Sequence, residues 1–347
     1  MAPIAQLAEV EATITPDYVL HWVKELNVAN QAILKLKGGI NNRVYRCGSG
    51  ANAYVIKSYQ ESTQGERDRM QAEVEFLRYA GETAKEFVPQ LIEVDWRRRC
   101  VVLEHIPGQS YRDGCEPTKA DIEAACEFAR QINSEPEKAK QFITVNAAEG
   151  YKRVTEHIAN VSERLKNMSV SHLPSSYREP AKALVENAKS KLNNITDKTI
   201  RLIQRGELND SINRDHLCVS PSDFGFHNAI RNKNGIKFFD FEFAGWDDPA
   251  KLIADFILQP RVQVRVSPSQ LIKIFRPESA KEIYERHTAL GPILQIKWGA
   301  IILSILNPKR LEQILEIHQD TAVEILIKQR IKIATHHLNN RTPFGLY

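Results

Sequence analysis

The sequence predicts an α+β protein of two lobes: a five-stranded antiparallel N-terminal lobe, then a larger, mostly helical C-terminal lobe. Three observations carry that expectation. Short apolar runs punctuated by Gly, Asn and Ser occupy residues 32–56, and two more flank the charged Asp95–Arg99, the pattern of a strand meander. Beyond Pro107-Gly108 the apolar spacing turns helical and stays so over most of the chain. At 347 residues the chain also exceeds the usual size of a single core, which favours two coupled lobes.

Taken in order, Thr15-Pro16-Asp17 opens a helix carrying apolar Val19, Leu20, Trp22, Val23 and Leu26, with Pro near the first turn. Ala32–Leu36, Val44–Cys47 and Ala53–Ile56 predict three strands. Met70, Val74 and Leu77 share one face of a helix expected over Gly65–Tyr79. Val88–Val94 and Cys100–Leu103 predict the fourth and fifth strands, turned at the mostly charged Asp95–Arg99. The expected organisation is therefore residues 1–103 as the N-terminal lobe, 104–108 as a hinge and 109–347 as the helical lobe. In that lobe Thr118 caps a helix over Pro117–Ile132. Residues 151–212 read as helical, Cys218–Phe243 as an island of strand and loop, and Pro308–Leu338 as a final helix.

Composition narrows the function. With 42% hydrophobic and 26% charged residues the chain is globular, and a net charge of +4 gives no argument for a nucleic-acid partner. Arg97-Arg98-Arg99 reads as a solvated turn, because the lone neighbouring Trp96 makes no stacking platform. Five scattered cysteines without metal-ligand spacing suggest buried thiols in a reducing compartment. The N-terminus lacks the basic start and apolar stretch of a signal peptide. The longest strongly apolar run, Trp298–Leu306, is about half of what a bilayer crossing needs. A cytoplasmic protein without a membrane partner is expected.

Phosphoryl transfer needs phosphates held by backbone amides and a cation, metal ions held by hard oxygens, and an oriented acceptor hydroxyl. The chain offers a candidate for each part. Gly38 and Gly39, between two expected strands, let backbone approach a ligand closely, although a plain hairpin turn has the same composition. Lys57 ends the apolar run Tyr54-Val55-Ile56; on an inward strand face it needs a partner or ligand, and an exposed strand end is the other reading. Glu73 on the next helix can pair with it, with Glu75 as competitor. The strongest local signal is Ser220–Asn228 followed by Ile236–Glu242. Asp223 and Asn228 stand five apart among aromatics, and Asp240 ends an apolar strand. Carboxylate and amide oxygens are the ligands Mg²⁺ prefers, and nearby Phe lowers the local dielectric. Asp223 would then be free to accept a substrate hydroxyl's hydrogen bond. In the plainer reading Asp223 is a turn residue and Asp240 a strand-end cap.

Together these motifs resemble the aminoglycoside phosphotransferase/choline kinase family, relatives of the protein kinases, over roughly residues 30–260. The family's Gly-Gly-x-x-Asn turn is matched by Gly38, Gly39 and Asn42. Its catalytic loop, His-Gly-Asp with Asn five residues after the Asp, is matched at Asp223 and Asn228, and its Ile-Asp-(Trp/Phe)-Glu metal segment at Asp240 and Glu242. Lys57 and Glu73 fall on the phosphate-orienting ion pair. Leu103–Gly108 resembles the hinge that holds adenine, through the Glu104 carbonyl and the Ile106 amide. Asp248-Pro249 and Asp255 match the pattern after the metal strand. One departure is Pro221-Ser222 in place of His-Gly; Pro stiffens the same backbone by fixing φ. The resemblance implies a protein-kinase-like fold using ATP and Mg²⁺. Lys57, held by Glu73, would position the α/β-phosphates. Asn228, Asp240 and Glu242 would hold Mg²⁺, and Asp223 would orient the acceptor hydroxyl.

The helical lobe would choose the acceptor. From Arg261 to Tyr347 there are thirteen Lys and Arg against seven Asp and Glu, whereas a polycationic aminoglycoside wants carboxylates. A neutral or anionic small molecule, a sugar or related metabolite, is expected first and an antibiotic second. A choline-like amine comes third, because it needs an aromatic cage that Trp246, Trp298, Tyr284 and Phe275 would have to supply. A non-catalytic ATP-binding scaffold is the reading from a different class. Leu311, Ile314, Leu315, Ile325 and Leu326 are expected to pack on their own lobe, a dimer face being the other use, so monomer or homodimer stays open. His336-His337 reads as a solvated helix end.

Overall fold

The computed structural model describes residues 10–11, 15–28, 33–36, 42–62, 65–317 and 323–339. The chain divides into two compact units, Met1–Ala148 with Val219–Trp246 and Glu149–Cys218 with Asp247–Tyr347.

In the first unit β1 (Val10–Glu11), β2 (Leu34–Leu36), β3 (Asn42–Cys47), β4 (Tyr54–Tyr59), β5 (Leu91–Asp95) and β6 (Cys100–Glu104) form an antiparallel sheet in the order β1-β2-β3-β4-β6-β5. All five expected strands are present. The additional β1 is two residues long, too short for an alternating pattern to register. Helix α1 (Asp17–Glu25) packs Val19 and Val23 with Tyr45, Ile56 and Val102 of the sheet in one apolar cluster. Pro16 sits at its N-cap without a side-chain hydrogen bond, so it contributes a fixed φ and not a cap.

Helix α2 (Arg69–Thr83) starts later than the expected Gly65. The reason is Asp68, whose carboxylate accepts the Gln71 N–H at 3.0 Å and is gripped by Arg99 at 2.8 and 2.9 Å. After β6, Gly108 has φ +155° and a Cβ there would fall 2.4 Å from the Arg231 carbonyl oxygen, so only glycine fits. β7 (Gln109–Ser110) then joins a second sheet. Helix α3 (Lys119–Gln131) has the expected Thr118 cap, closed into a capping box by Asp121, and α4 (Pro136–Phe142) follows. The return segment supplies β8 (Cys218–Ser220), β9 (Ala229–Asn232), β10 (Gly235–Phe238) and β11 (Gly245–Asp247), with the second sheet ordered β10-β9-β7.

The second unit is built from α5 (Val154–Lys166), α6 (Ser175–Gln204), α7 (Pro249–Leu258), α8 (Pro268–Ile272), α9 (Ala280–Ile302), α10 (Pro308–Ile317) and α11 (Val323–Asn339). Helix α9 is its axis, packing on α5, α7 and α11. The segment Pro277–Leu306 is long and apolar enough to cross a membrane by length and composition, yet most of it is buried within the protein. It also carries Arg286 and Lys297 in internal ion pairs, which marks a core helix. Arg286 Nε donates to Asp248 at 2.8 Å, and Lys297 donates to both Asp255 oxygens at 2.7 and 3.0 Å. Asp248 also caps α7, with Pro249 in its first turn. In this structure Asp248-Pro249 and Asp255 therefore build the core of the second unit. His337 is buried and only His336 exposed; the expectation of a solvated pair fails because α11 lies against α9. All five cysteines are free.

Candidate active site

The residues of the site lie in the first unit. Lys57, opposite Val44 of β3 and Val101 of β6, is only 4% exposed. Its Nζ donates to Glu73 Oε2 and to Asp240 Oδ1, each at 2.5 Å. Glu73, on the second turn of α2, is 1% exposed and accepts a second hydrogen bond, from the Tyr59 hydroxyl at 2.6 Å. Burial opposes the charge on Lys57, but the Asp240, Glu73 and Glu242 carboxylates outweigh it and hold the amine firmly protonated. Burial, then Glu73, push the Tyr59 hydroxyl well above its ordinary range, so it stays a donor. Glu75, the competitor, accepts instead from Gln71 and from the Thr144 N–H at 2.8 Å.

The catalytic-loop and metal candidates meet at the open end of a hairpin. Ala229 of β9 pairs with Phe238 of β10, and one step beyond, the Phe239 N–H donates to the Asn228 carbonyl at 3.0 Å. That pairing brings Asn228 beside the Phe239-Asp240 peptide. Asn228 Nδ2 donates to the Asp223 carbonyl at 3.1 Å and to its Oδ2 at 3.2 Å. Asp223 follows a tight turn, its N–H donating to the Pro221 carbonyl at 2.9 Å, with Ser222 at φ +65°. Asp240 has φ +68°. A non-glycine residue in the left-handed region costs about 1–2 kcal/mol. The glycine usual in the resembled motif meets that demand without strain. Here Ser222 is tied down, its N–H donating to Ser220 Oγ at 3.0 Å and its Oγ to the Ala148 carbonyl at 3.2 Å.

Three site features escape the sequence reading. His227 is buried, with Nε2 3.1 Å from Asp223 Oδ1, inside ion-pair reach though outside hydrogen-bond geometry; its place between Asp223 and Asn228 was the available signal. Lys237 Nζ donates to the Val88 carbonyl at 2.6 Å and lies 3.4 Å from Glu104. Arg67 donates to the Glu242 carbonyl. Asn42 Nδ2 donates to Glu242 Oε2 at 2.8 Å, so β3 is tied to the segment beyond Asp240. Glu104 stands opposite Tyr54 at the end of β6 and accepts the Gln90 N–H at 3.1 Å; Ile106 is buried just beyond. Gly38 and Gly39 lie outside the described residues.

An aromatic cluster floors the site. Phe76 of α2 stacks on Phe241 at 4.4 Å between centroids, and Phe128 stacks on Phe238 at 5.0 Å. The donor set suits Mg²⁺: with Asp240 Oδ1 taken by Lys57, Oδ2 remains, on a side chain 33% exposed. Asn228 spends Nδ2 on Asp223 and keeps Oδ1. Among the described residues no group of three or more His, Cys, Asp or Glu is arranged around a metal. Mg²⁺ needs none, since it binds through one or two protein oxygens plus substrate phosphates.

Residues 32–258 match the model of a phosphotransferase enzyme family. No curated protein sequence matches the chain. Among solved structures, a choline kinase from Cryptosporidium parvum Iowa II is similar at 14% identity and a TM-score of 0.56, over 93% of this chain and 99% of that one. A spectinomycin phosphotransferase in complex with ADP and spectinomycin is similar at 12% identity and a TM-score of 0.54, over 94% and 99%. The GDP complex of an aminoglycoside 2'-phosphotransferase is similar at 14% identity and a TM-score of 0.52, over 91% and 97%. At such identities the likeness is one of fold, and it bears out the protein-kinase-like α+β fold expected from the sequence.

Proposed function

The chain belongs to the phosphotransferase enzyme family, and we propose that it is an ATP-dependent kinase transferring the γ-phosphate to a hydroxyl of a sugar or related metabolite. Membership makes it a small-molecule phosphotransferase. The observation that carries the finer reading is the meeting of Lys57, Glu73 and Asp240, next to the hairpin end where Asn228 holds Asp223.

In this reading Lys57, kept protonated and oriented by Glu73, faces the α/β-phosphates. Asp223 accepts the hydrogen bond of the acceptor hydroxyl and aims it in line with the γ-phosphate. Gly38, Gly39 and Asn42 cover the phosphates, and the Glu104 carbonyl and Ile106 amide meet the adenine. Asn228, Asp240 and Glu242 are the residues that would hold Mg²⁺, which supplies neutralisation of phosphate charge when bound. Residues 1–103, 104–108 and 109–347 serve as nucleotide lobe, hinge and acceptor lobe.

The basic balance of Arg261–Tyr347 favours a neutral or anionic acceptor over a polycation. A cytoplasmic monomer or homodimer, without nucleic-acid or membrane partners, completes the proposal. A second reading, an antibiotic acceptor, draws support from the fold likeness to the spectinomycin phosphotransferase. Cells expressing the protein would then gain drug resistance.

The test is ADP release from ATP and Mg²⁺ with a panel of sugars, amino alcohols and aminoglycosides, beside Asp223→Ala. Acceptor-dependent release that falls about 10²–10⁴-fold in the variant supports the kinase and names its substrate class. ATP binding without release on any acceptor, cell extract included, points instead to a nucleotide-binding scaffold.

A further inference from the structure

Arg67, in the loop entering α2, spreads one guanidinium over three backbone carbonyls. Nε donates to Glu242 O at 3.1 Å, Nη2 to Ala244 O and Nη1 to Asn146 O. Glu242 and Ala244 lie between β10 and β11, outside any strand or helix, so a side chain supplies donors that no ladder provides. A guanidinium suits the task because its five N–H donors are fixed in one plane, whereas an ammonium is a point charge that cannot span such a set.

The neighbours of Arg67 give the contact its meaning. Asp68, the next residue, caps α2 and is held by Arg99. Further along α2, Glu73 holds Lys57, and Lys57 holds Asp240. Three residues beyond Glu73, Phe76 stacks on Phe241. Helix α2 and the segment Asp240–Ala244 are thus joined at three levels: guanidinium to carbonyls, ring to ring, and carboxylates to one shared ammonium.

We propose that Arg67 is a positioning residue for the phosphotransferase reaction, locking the segment Asp240–Ala244 to the start of α2 so that Asp240 and Glu73 are presented to Lys57 in fixed register. The role assigned to that register rests on the function proposed above, while the lock itself is a property of the protein without ligands.

Amide hydrogen exchange on the ligand-free protein tests it, using wild type, Arg67→Met, Arg67→Lys and Asp68→Asn. In both Arg67 variants residues 239–246 are expected to exchange about 10-fold faster or more, the factor for losing a charge-assisted hydrogen bond. The β3–β4 amides should keep wild-type rates. Asp68→Asn keeps a capping oxygen but breaks the two-pronged grip of Arg99, so it should speed the first turn of α2 and leave 239–246 unchanged. With substrates present, the half-saturating Mg²⁺ concentration is expected to rise about 10-fold in both Arg67 variants, the usual effect of removing a residue that orients metal ligands, while the acceptor KM stays put. Arg67→Lys keeps the charge and serves if Arg67→Met fails to fold. Unchanged exchange of 239–246 in folded Arg67→Lys overturns the lock, and unchanged Mg²⁺ dependence overturns its positioning role. Faster exchange in a protein whose wild type turns over no acceptor overturns the kinase reading and leaves the lock standing.

Discussion

The rings of Phe76 and Phe241 stack with centroids 4.4 Å apart and planes 30° apart. Phe76 lies three residues beyond Glu73 and Phe241 one residue beyond Asp240, so the two carboxylates that share Lys57 are backed by a single aromatic contact. Both rings are buried. Phe76→Ala is expected to cost about 3–5 kcal/mol, transfer and cavity contributions together. Urea unfolding measures it, and a loss under about 1 kcal/mol would mean the rings are not packed as described.

Lys57→Met separates stability from chemistry. Removing the amine leaves the buried Glu73 carboxylate, 1% exposed, to the Tyr59 hydroxyl. Breaking a buried pair from one side costs about 3–5 kcal/mol, whereas replacing both partners by apolar residues is often near neutral. The double variant Lys57→Met/Glu73→Met should therefore recover most of the stability lost by the single one. Neither should recover turnover, because the cation that the proposed mechanism sets against the phosphates is gone. Chemical unfolding and ADP release, run on the same preparations, check both halves; a double variant as unstable as the single one would remove the buried-pair account.

Ser222 sits at φ +65° just before Asp223. Ser222→Ala keeps the strain and loses the hydrogen bond to the Ala148 carbonyl; Ser222→Gly loses the same bond and relieves the strain. Glycine's extra chain entropy, about 0.5–1 kcal/mol, offsets part of a relief of about 1–2 kcal/mol. Ser222→Gly is expected to be more stable than Ser222→Ala by about 1 kcal/mol. Melting temperatures of the pair decide it, and the reverse order would contradict the left-handed backbone at this residue.

Much of this site is legible in the sequence, for identifiable reasons. Lys57 stands out because an inward lysine on an apolar strand demands a partner, and Asp223, Asn228 and Asp240 because short-range hairpin pairing brings residues close in the chain together. Strands of five or six residues declare themselves as apolar runs bounded by turn residues and Thr118 by its capping chemistry, while the two residues of β1 are too few to make a run. The backbone sign at Ser222 is invisible in Pro-Ser, since composition does not fix φ for serine. Arg67 is hidden for a deeper reason. In Glu66-Arg67-Asp68-Arg69 it looks like solvated charge, and two of its acceptors are carbonyls 175 and 177 residues away, which carry no side-chain signature.

His157 supplies a pH signature for the second unit. It is buried on α5 beside Tyr151, with ring centroids 5.2 Å apart. Burial first, then the Lys251 and Lys297 ammonium groups, pull its pKa down to about 3, so the fold holds it neutral. An unfolded histidine titrates near 6.5. With the folded value depressed, the stabilisation is complete above about pH 6.5 and drains away as pH falls toward 3, because the unfolded chain takes up the proton first. His157→Gln cannot titrate. The wild-type advantage in unfolding free energy over this variant should therefore shrink by about 1.4 kcal/mol per pH unit between about pH 6 and pH 4. Urea unfolding of both proteins at pH 7, 6, 5 and 4.5 reads the slope directly, and a difference that stays constant across the series would mean His157 is solvated and titrates normally in the fold.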